Sequence, residues 1–592
     1  MSFFSNILYS QRKRCFSSDY DEQLPLLSKM ADPKAREADE AQEENDVVAD
    51  VIGEYGSWQL RLTFLLALFN IPSTWHIMAY TFQSLDRPFW CARPTPIRDF
   101  VSPSMWRNIS QPGNSSCQIW SSINETFRPS DSPVLSGEIS TCTQFEYDET
   151  NGTTLVAEWN LVCDRAVLVN VAEMTFLSGV AIGGLVSGII SDKFGRKRTL
   201  LISLFTQIVT GTIISFNLWL ELYLVLRFFL GFSSVAVVFS AFVLCMELVG
   251  GKWRTISGVS FLFPVPLGYI TVAGIAYVVR EWRILQLAVT LPAVSLLAAI
   301  WVLPESPRWL LSMRKEEKLM AVLKRAAASN KRPIPTDSQK ILAKAPPQEK
   351  GGDSVGVLTL FRTAQIRKIS LVLYIVWFAL YTVYYGLVLN LASIEGDIYL
   401  NTAISGFVEI PAIALSILLL MKSGRKWPLC IVTASSGVFC LCVLAVPTGA
   451  PSWITVALAM CGKFAISCSN AILPIFTAEL FPTVVRNLGV GSSNVSAGIA
   501  LMLVPYLWNL AVIYDKLPFI FMGVLGIVGG LSVMLLPETA GRPMPNTLED
   551  LERRGNDIKN KAQATATMRS SSTTRSVVTR PASYRKKRDS EF

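Results

Sequence analysis

The stretch Gly188-Ile-Ile-Ser-Asp192-Lys193-Phe-Gly195-Arg196-Lys197-Arg198 lies between two apolar runs, 166–190 and 199–216. Spanning a bilayer takes about 20 apolar residues, so both runs are span-length and the stretch between them is a tight turn at a membrane surface. Four of its five charges are basic, and the positive-inside rule places such a turn on the cytoplasmic side. A weaker copy, Lys422-Ser-Gly424-Arg425-Lys426, again separates two apolar runs. One glycine–arginine–lysine turn in each half predicts a duplicated membrane unit.

The composition agrees. Of 592 residues, 51% are hydrophobic and 17% charged, whereas soluble chains carry about 25% charged residues. The formal charge of +9 does not imply a nucleic-acid partner, because the basic residues gather in short loops beside apolar runs. Twelve runs are read as spans: 60–82, 166–190, 199–216, 222–248, 256–279, 284–303, 368–391, 400–421, 428–447, 452–475, 488–511 and 518–536. Basic clusters follow the second, fourth, sixth and eighth, as an even number of spans with both termini cytoplasmic requires. No signal peptide precedes the first run, so that span is expected to direct insertion. The expectation is an all-α polytopic membrane protein with twelve transmembrane helices in two six-helix bundles. Its parts would be an N-terminal segment (1–58), a first bundle (59–303), a cytoplasmic loop (304–367) with a helix over 315–328, a second bundle (368–536) and a basic tail (537–592).

The 83–163 loop carries Cys91, Cys117, Cys142 and Cys163, and sequons at Asn108, Asn114, Asn124 and Asn151. Paired cysteines and glycosylation predict an extracellular or lumenal loop, with the disulfide connectivity open. The N-terminal segment reads as disordered and contains Glu22-Gln-Leu-Pro-Leu26-Leu27, which matches a clathrin-adaptor sorting signal. The tail is basic, and its end, Ser590-Glu591-Phe592, fits a PDZ-domain ligand that adds a strand to a sheet edge. The plasma membrane is the expected location, with endosomal or lysosomal membrane as the alternative.

No phosphate-binding Gly-x-x-x-x-Gly-Lys-[Ser/Thr] loop is present, which argues against an ATP-driven pump. No catalytic or metal-ligand pattern is found and no cofactor is expected. The single histidine, His76, reads as a packing residue. The turns suggest gating: Asp192, Arg196, Lys197 and Arg198 can pair with neighbouring helix ends on the inner face, where the candidates are Glu247, Glu305 and Arg308, and Glu479 and Arg486. Such a latch holds one global state and breaks in the other, as alternating access demands. The second turn lacks the aspartate, with Ser423 near its place, so the first is expected to carry most of the gating.

The turn 188–198 resembles the signature of the major facilitator superfamily. Pro304-Glu305-Ser-Pro-Arg308-Trp-Leu310, Ala478-Glu479-Leu-Phe-Pro-Thr-Val-Val-Arg486-Asn-Leu-Gly489, Pro537-Glu538-Thr-Ala-Gly541 and Gly53-Glu54-Tyr-Gly56-Ser-Trp58-Gln59 are similar to segments of its organic cation, anion and carnitine transporter family. The resemblance covers about residues 50–550 and implies a two-bundle carrier with its cavity between the bundles at mid-membrane.

Charges at that depth are functional candidates, because their desolvation is costly. Glu409 precedes Ile410-Pro411 in span eight and matches an acidic position of the family; Lys463 in span ten is its candidate counter-charge and is similar to the anion and carnitine branches. Glu173 reads as interfacial, and Arg227 resembles the family's structural arginine. Span seven aligns Tyr374, Trp377, Phe378, Tyr381, Tyr384 and Tyr385 on one helical face, where a cation gains about 0.5–2 kcal/mol per ring. Phe239 and Phe242 fall near positions that line the family's cavity. Twelve positions after Arg486 the family places a selecting charge; here it is Gly498. The reading is a non-enzymatic carrier of small organic cations or zwitterions (an amine or a carnitine-like molecule). Two alternatives stay open: an organic anion exchanger of the same fold, and a non-transporting receptor or scaffold.

Overall fold

Away from water a chain must satisfy its own backbone N–H and C=O groups, and long apolar runs do so as helices. The computed structural model describes residues 47–540 apart from 94–97, 99–100, 113–114, 121–137, 149–151, 252, 334–356, 390–395, 448 and 483–484, together with 549 and 551–553. Among the described residues, 11 helices are long and apolar enough to cross a membrane. In order these are span 1 (Ser57–Gln83), span 2 (Cys163–Phe194), span 3 (Arg196–Phe216), span 4 (Leu220–Leu248), span 5 (Trp253–Val278) and span 6 (Trp282–Val302). The second half holds span 7 (Ala364–Leu389), span 8 (Ile398–Lys422), span 9 (Lys426–Ala445), span 10 (Ser452–Leu480) and span 11 (Leu488–Val512). The shorter apolar helix Leu517–Val533 is span 12.

The halves repeat one pairing scheme. Span 2 packs on 4 as 8 does on 10, 3 on 4 as 9 on 10, 1 on 5 as 7 on 11, and 3 on 6 as 9 on 12. The halves meet where span 5 packs on span 8 and span 2 on span 11, two contacts that exchange under the same correspondence. In lipid no hydrophobic force drives helices together, so close backbone approach does. Spans 2 and 4 touch at Gly179 and Gly231, where a Cβ would stand 2.1 Å from the Phe228 and Phe176 carbonyl oxygens respectively. Gly437 does the same between spans 9 and 12, where a Cβ would stand 2.5 Å from the Gly523 carbonyl oxygen.

The face carrying the 83–163 segment is termed the loop face, and the opposite one the turn face. The described residues of the loop form a subdomain. Strand Phe89–Cys91 pairs antiparallel with Phe145–Tyr147, and Gln118–Trp120 with Ile139–Thr141. The disulfides are Cys91–Cys142 and Cys117–Cys163. Buried Trp90, Val101 and Trp106 form its own small core, and Trp106 Nε1 donates to the Cys91 carbonyl at 2.8 Å. The subdomain is fastened to the first half. Trp282 Nε1 donates to Glu158 Oε2 at 2.6 Å, Arg283 pairs with Glu158, and Trp159 Nε1 donates to the Leu218 carbonyl at 3.1 Å. Asn108 falls within helix Pro103–Ser110. Asn114, Asn124, Asn151, the dileucine stretch and the C-terminal tripeptide lie outside the described residues.

On the turn face, helix Glu316–Ser329 buries Leu319, Leu323, Ala326 and Ala327. That face packs on helices Pro307–Ser312 and Val47–Ile52 and on the start of span 1.

Candidate substrate site and latches

Four side chains from both halves converge in the middle of the membrane-spanning region. Lys463 Nζ on span 10 lies 3.1 Å from Glu409 Oε2 on span 8, with the two residues 1% and 3% exposed. Tyr384 on span 7 donates its hydroxyl to Glu409 Oε1 at 2.7 Å. Since that hydroxyl is spent, Tyr269 on span 5 donates to the Tyr384 oxygen, at 3.1 Å. The Lys463 ammonium also sits 3.5 Å from the Tyr384 ring centroid and 5.4 Å from that of Tyr269. Pro411 lies inside span 8, where it removes one backbone donor and loosens the helix just after the carboxylate. Ser405 and Ser467, one helical turn from Glu409 and Lys463, bury hydroxyls that have no hydrogen-bond partner among the described residues.

The aromatic column of span 7 stands beside this circuit. Trp377 stacks on Tyr381 at 5.4 Å, Tyr381 approaches Tyr385 at 5.7 Å and Tyr384 meets Tyr385 edge-on at 5.0 Å. Trp377 Nε1 donates to Thr477 Oγ1 on span 10. Phe378, Tyr381 and Tyr385 are half-buried. The other candidates lie elsewhere. Phe242 packs edge-on against Phe261 at 5.5 Å, and Phe239 lies against Gly188 of span 2. Gly498 sits at the seam of spans 2 and 11, where a Cβ would stand 2.7 Å from Ala181 Cβ.

A second buried charge cluster fills the first half. Arg227 is 1% exposed. Its guanidinium lies 4.5 Å from the Tyr80 ring and 4.6 Å from Phe176. Glu173, expected at the interface, is buried, and so is His76, both of whose ring nitrogens have no hydrogen-bond partner among the described residues.

The two turns are built alike. Gly195 (φ +105°) and Gly424 (φ +83°) adopt left-handed backbone, which glycine enters without strain. Neither helix that follows has a side-chain N-cap of its own; each receives a carboxylate from the segment after the last span of its half. Glu305 Oε1 accepts from the Lys197 N–H at 2.9 Å. Glu538 accepts from the Arg425 and Lys426 N–H groups at 3.0 and 3.1 Å. A carboxylate there meets the positive end of the helix dipole. The arginine side chains also correspond. Arg196 Nε lies 3.1 and 3.0 Å from the two Glu247 oxygens, and Arg425 Nε 3.2 Å from both of Glu479. Burial would raise the Glu538 carboxyl, but N–H donors from Ala540, Arg425, Lys426 and Thr539 hold it below the usual range. At the mouth of span 11, burial and the neighbouring Arg254 lower the Arg486 guanidinium against the pull of Glu479. Arg308 Nη2 donates to the Val249 carbonyl at 3.1 Å.

The second turn lacks the aspartate, as the sequence reads. Its carboxylates are Glu479, among the expected partners, and Glu538, both distant in sequence from the turn. What lacks a counterpart is the Asp192–Arg196 pair, at 2.8 Å with Asp192 67% exposed; exposed pairs contribute only about 0–1 kcal/mol. Sequence reasoning named Glu409, Lys463 and Tyr384 but missed Tyr269, a lone tyrosine without periodic signal. It also quoted Glu538 without giving it a role.

Both halves touch on the loop face. Thr81 Oγ1 donates to the Leu389 carbonyl at 3.3 Å, and Asn170 Nδ2 to Asn509 Oδ1 at 3.0 Å. Tyr399 stacks on Phe82 at 5.4 Å and lies 5.1 Å under the Arg280 guanidinium.

Comparison with known proteins agrees with this architecture. The sugar (and other) transporter family matches residues 135–551. The "Organic cation transporter protein" of Drosophila melanogaster is 36% identical over 521 residues, 86% of this chain and 95% of the relative. The human "Solute carrier family 22 member 13" is 34% identical, covering 85% and 92%, and mouse "Solute carrier family 22 member 3" is 32% identical, covering 85% and 94%. Among solved structures, the partially occluded, inward-open xylose transporter XylE from E. coli superposes with a TM-score of 0.57 at 16% identity, over 82% of this chain and 100% of XylE. It shares the fold. The chain is a multi-pass membrane transporter, not an enzyme, and belongs to the organic cation, anion and carnitine transporter family of the major facilitator superfamily.

Proposed function

We propose that the chain carries small zwitterionic amines, and organic cations less readily, across the plasma membrane by alternating access. The turn face would be cytoplasmic. The observation that carries this reading is the Glu409–Lys463 pair, closed by Tyr384 and Tyr269. The site's net charge is zero. A bare cation at Glu409 would displace Lys463 and strand a buried ammonium, and breaking such a pair costs about 3–5 kcal/mol. A bare anion at Lys463 would strand Glu409 in the same way. A zwitterion replaces both charges at once, its ammonium meeting Glu409 and the aromatic column, its carboxylate meeting Lys463. The unpartnered Ser405 and Ser467 hydroxyls add polar groups beside it. The names of the fly relatives support a cationic centre in the substrate. The loop-face contacts, Thr81–Leu389, Asn170–Asn509 and Tyr399 with its neighbours, would break as the halves rock to the opposite state.

Uptake of a labelled carnitine-like zwitterion, tetraethylammonium and a benzoate-type anion in expressing cells tests this. Saturable zwitterion uptake should fall at least tenfold in Glu409→Gln and in Lys463→Gln. Unchanged uptake in Glu409→Gln would overturn the site assignment, and saturable flux of the anion alone would favour the exchanger.

A further inference from the structure

A recess of ≈530 Å³ opens on the turn face between the inner ends of spans 3 and 6 and the helix Glu316–Ser329. Ligand pockets commonly occupy about 300–1,000 Å³. Five cations line this one: Lys197, Arg198, Lys315, Lys318 and Arg325. The one acidic residue among its lining is Glu305, already bonded to the Lys197 and Ser306 N–H groups. The Lys197 ammonium donates to the neutral Ile300 carbonyl at 2.8 Å, and Lys315 stands over the Trp309 ring at 4.0 Å. Arg198, Lys318 and Arg325 have no carboxylate or hydrogen-bond partner among the described residues. The recess thus sets five cations against a single carboxylate, and that carboxylate is already engaged by two backbone N–H groups.

The recess does not stop at the water boundary. It shares Leu201, Ile300 and Trp301 with an apolar groove that runs along the outside of spans 3 and 6, between Ile202 and Phe205 on one side and Val294 and Leu297 on the other. Ile202, Phe205 and Trp301 are 65%, 60% and 82% exposed. Trp301 sits where charge gives way to hydrocarbon, as tryptophans do at bilayer interfaces. Lys318, Ala321, Val322 and Arg325 recur at helical spacing, so one face of the helix looks into the recess while its opposite, apolar face packs on the protein.

We propose that this recess holds the headgroup of an anionic phospholipid from the leaflet on the turn side, with its acyl chains in the groove between spans 3 and 6. Five cations converging on one headgroup select a phosphorylated inositol lipid over a singly charged one. The amphiphile explains both halves of the feature; a soluble anion would explain only the charge. The site lies apart from the Glu409–Lys463 circuit, so it stands or falls independently of the substrate.

The test uses the full chain in nanodiscs of phosphatidylcholine containing a phosphatidylinositol bisphosphate or phosphatidylserine, with bound lipid read by native mass spectrometry. The inositol lipid should be retained over both others. The double variant Lys318→Gln/Arg325→Gln should bind it about thirtyfold more weakly, the equivalent of about 1 kcal/mol for each basic residue lost near the surface. Arg314→Gln/Lys324→Gln removes equal charge outside the recess and should bind as the parent does. Unchanged melting temperature in both variants keeps the comparison one of binding. Equal losses in both, equal retention of phosphatidylcholine, or a soluble inositol phosphate binding as tightly as the lipid would each overturn the proposal.

Discussion

Lys463→Gln is the sharpest perturbation available in this protein. It removes an ammonium 3.1 Å from Glu409 Oε2 and 3.5 Å above the Tyr384 ring, in a place where both side chains are almost wholly buried. The Tyr384 hydroxyl bond to Oε1 survives, yet the carboxylate loses its counter-charge, a change that costs about 3–5 kcal/mol in the empty carrier. An organic cation that binds Glu409 recovers that cost. At 1.4 kcal/mol per tenfold, a recovery of about 3 kcal/mol is a hundredfold, of which at least tenfold should survive the cation's own desolvation. A zwitterion gains nothing, because its carboxylate has lost Lys463. The ratio of cation to zwitterion affinity, measured by competition in reconstituted vesicles, should therefore rise at least tenfold. The double variant Glu409→Gln/Lys463→Gln should restore stability but bind neither well. A ratio unmoved by Lys463→Gln, in protein that inserts normally, would refute the reasoning that the pair sets charge selection.

Arg196→Ala and Arg425→Ala should slow transport in reconstituted vesicles to similar extents, since each breaks a two-oxygen contact to a glutamate; a defect confined to the first turn would contradict their structural equivalence. The Glu538 carboxyl, held below its usual range, contributes to stability at neutral pH and loses that contribution as pH falls through its lowered value. The melting-temperature gap between parent and Glu538→Gln should accordingly narrow in acid. Gly179→Ala places a methyl 2.1 Å from the Phe228 carbonyl and should lower thermal stability by at least the 1–3 kcal/mol typical of overpacking, about that order, read by fluorescence-detected gel filtration. Cys91→Ser/Cys142→Ser opens a cross-link spanning 51 residues, worth about 4 kcal/mol in the chain-entropy treatment; the protein should become protease-sensitive in its loop while the spans still insert.

The spans were legible because hydropathy alone decides which segments enter a bilayer. Glu409 and Lys463 were legible because charges are rare at that depth. Tyr269 was not: a tyrosine among the apolar residues of span 5 looks like packing until span 7 is laid against it. The strands of the loop subdomain are three residues each, too short for alternation to register. Glu173 was misplaced because distance along a helix from its end says nothing about which side faces a neighbour. Glu538 was given no role because it lies 113 residues from Arg425, and only tertiary structure brings it to the turn.

The fastening of the loop subdomain has a mechanical meaning. Its attachments through Glu158, Trp159, Trp282 and Arg283 all reach the first half. If the halves rock during transport, these attachments carry the subdomain with the first half as a pointer. A dye on its surface would report the tilt of that half from outside the membrane, and a binder bridging it to the second half would act as a splint that stops the cycle without entering the cavity.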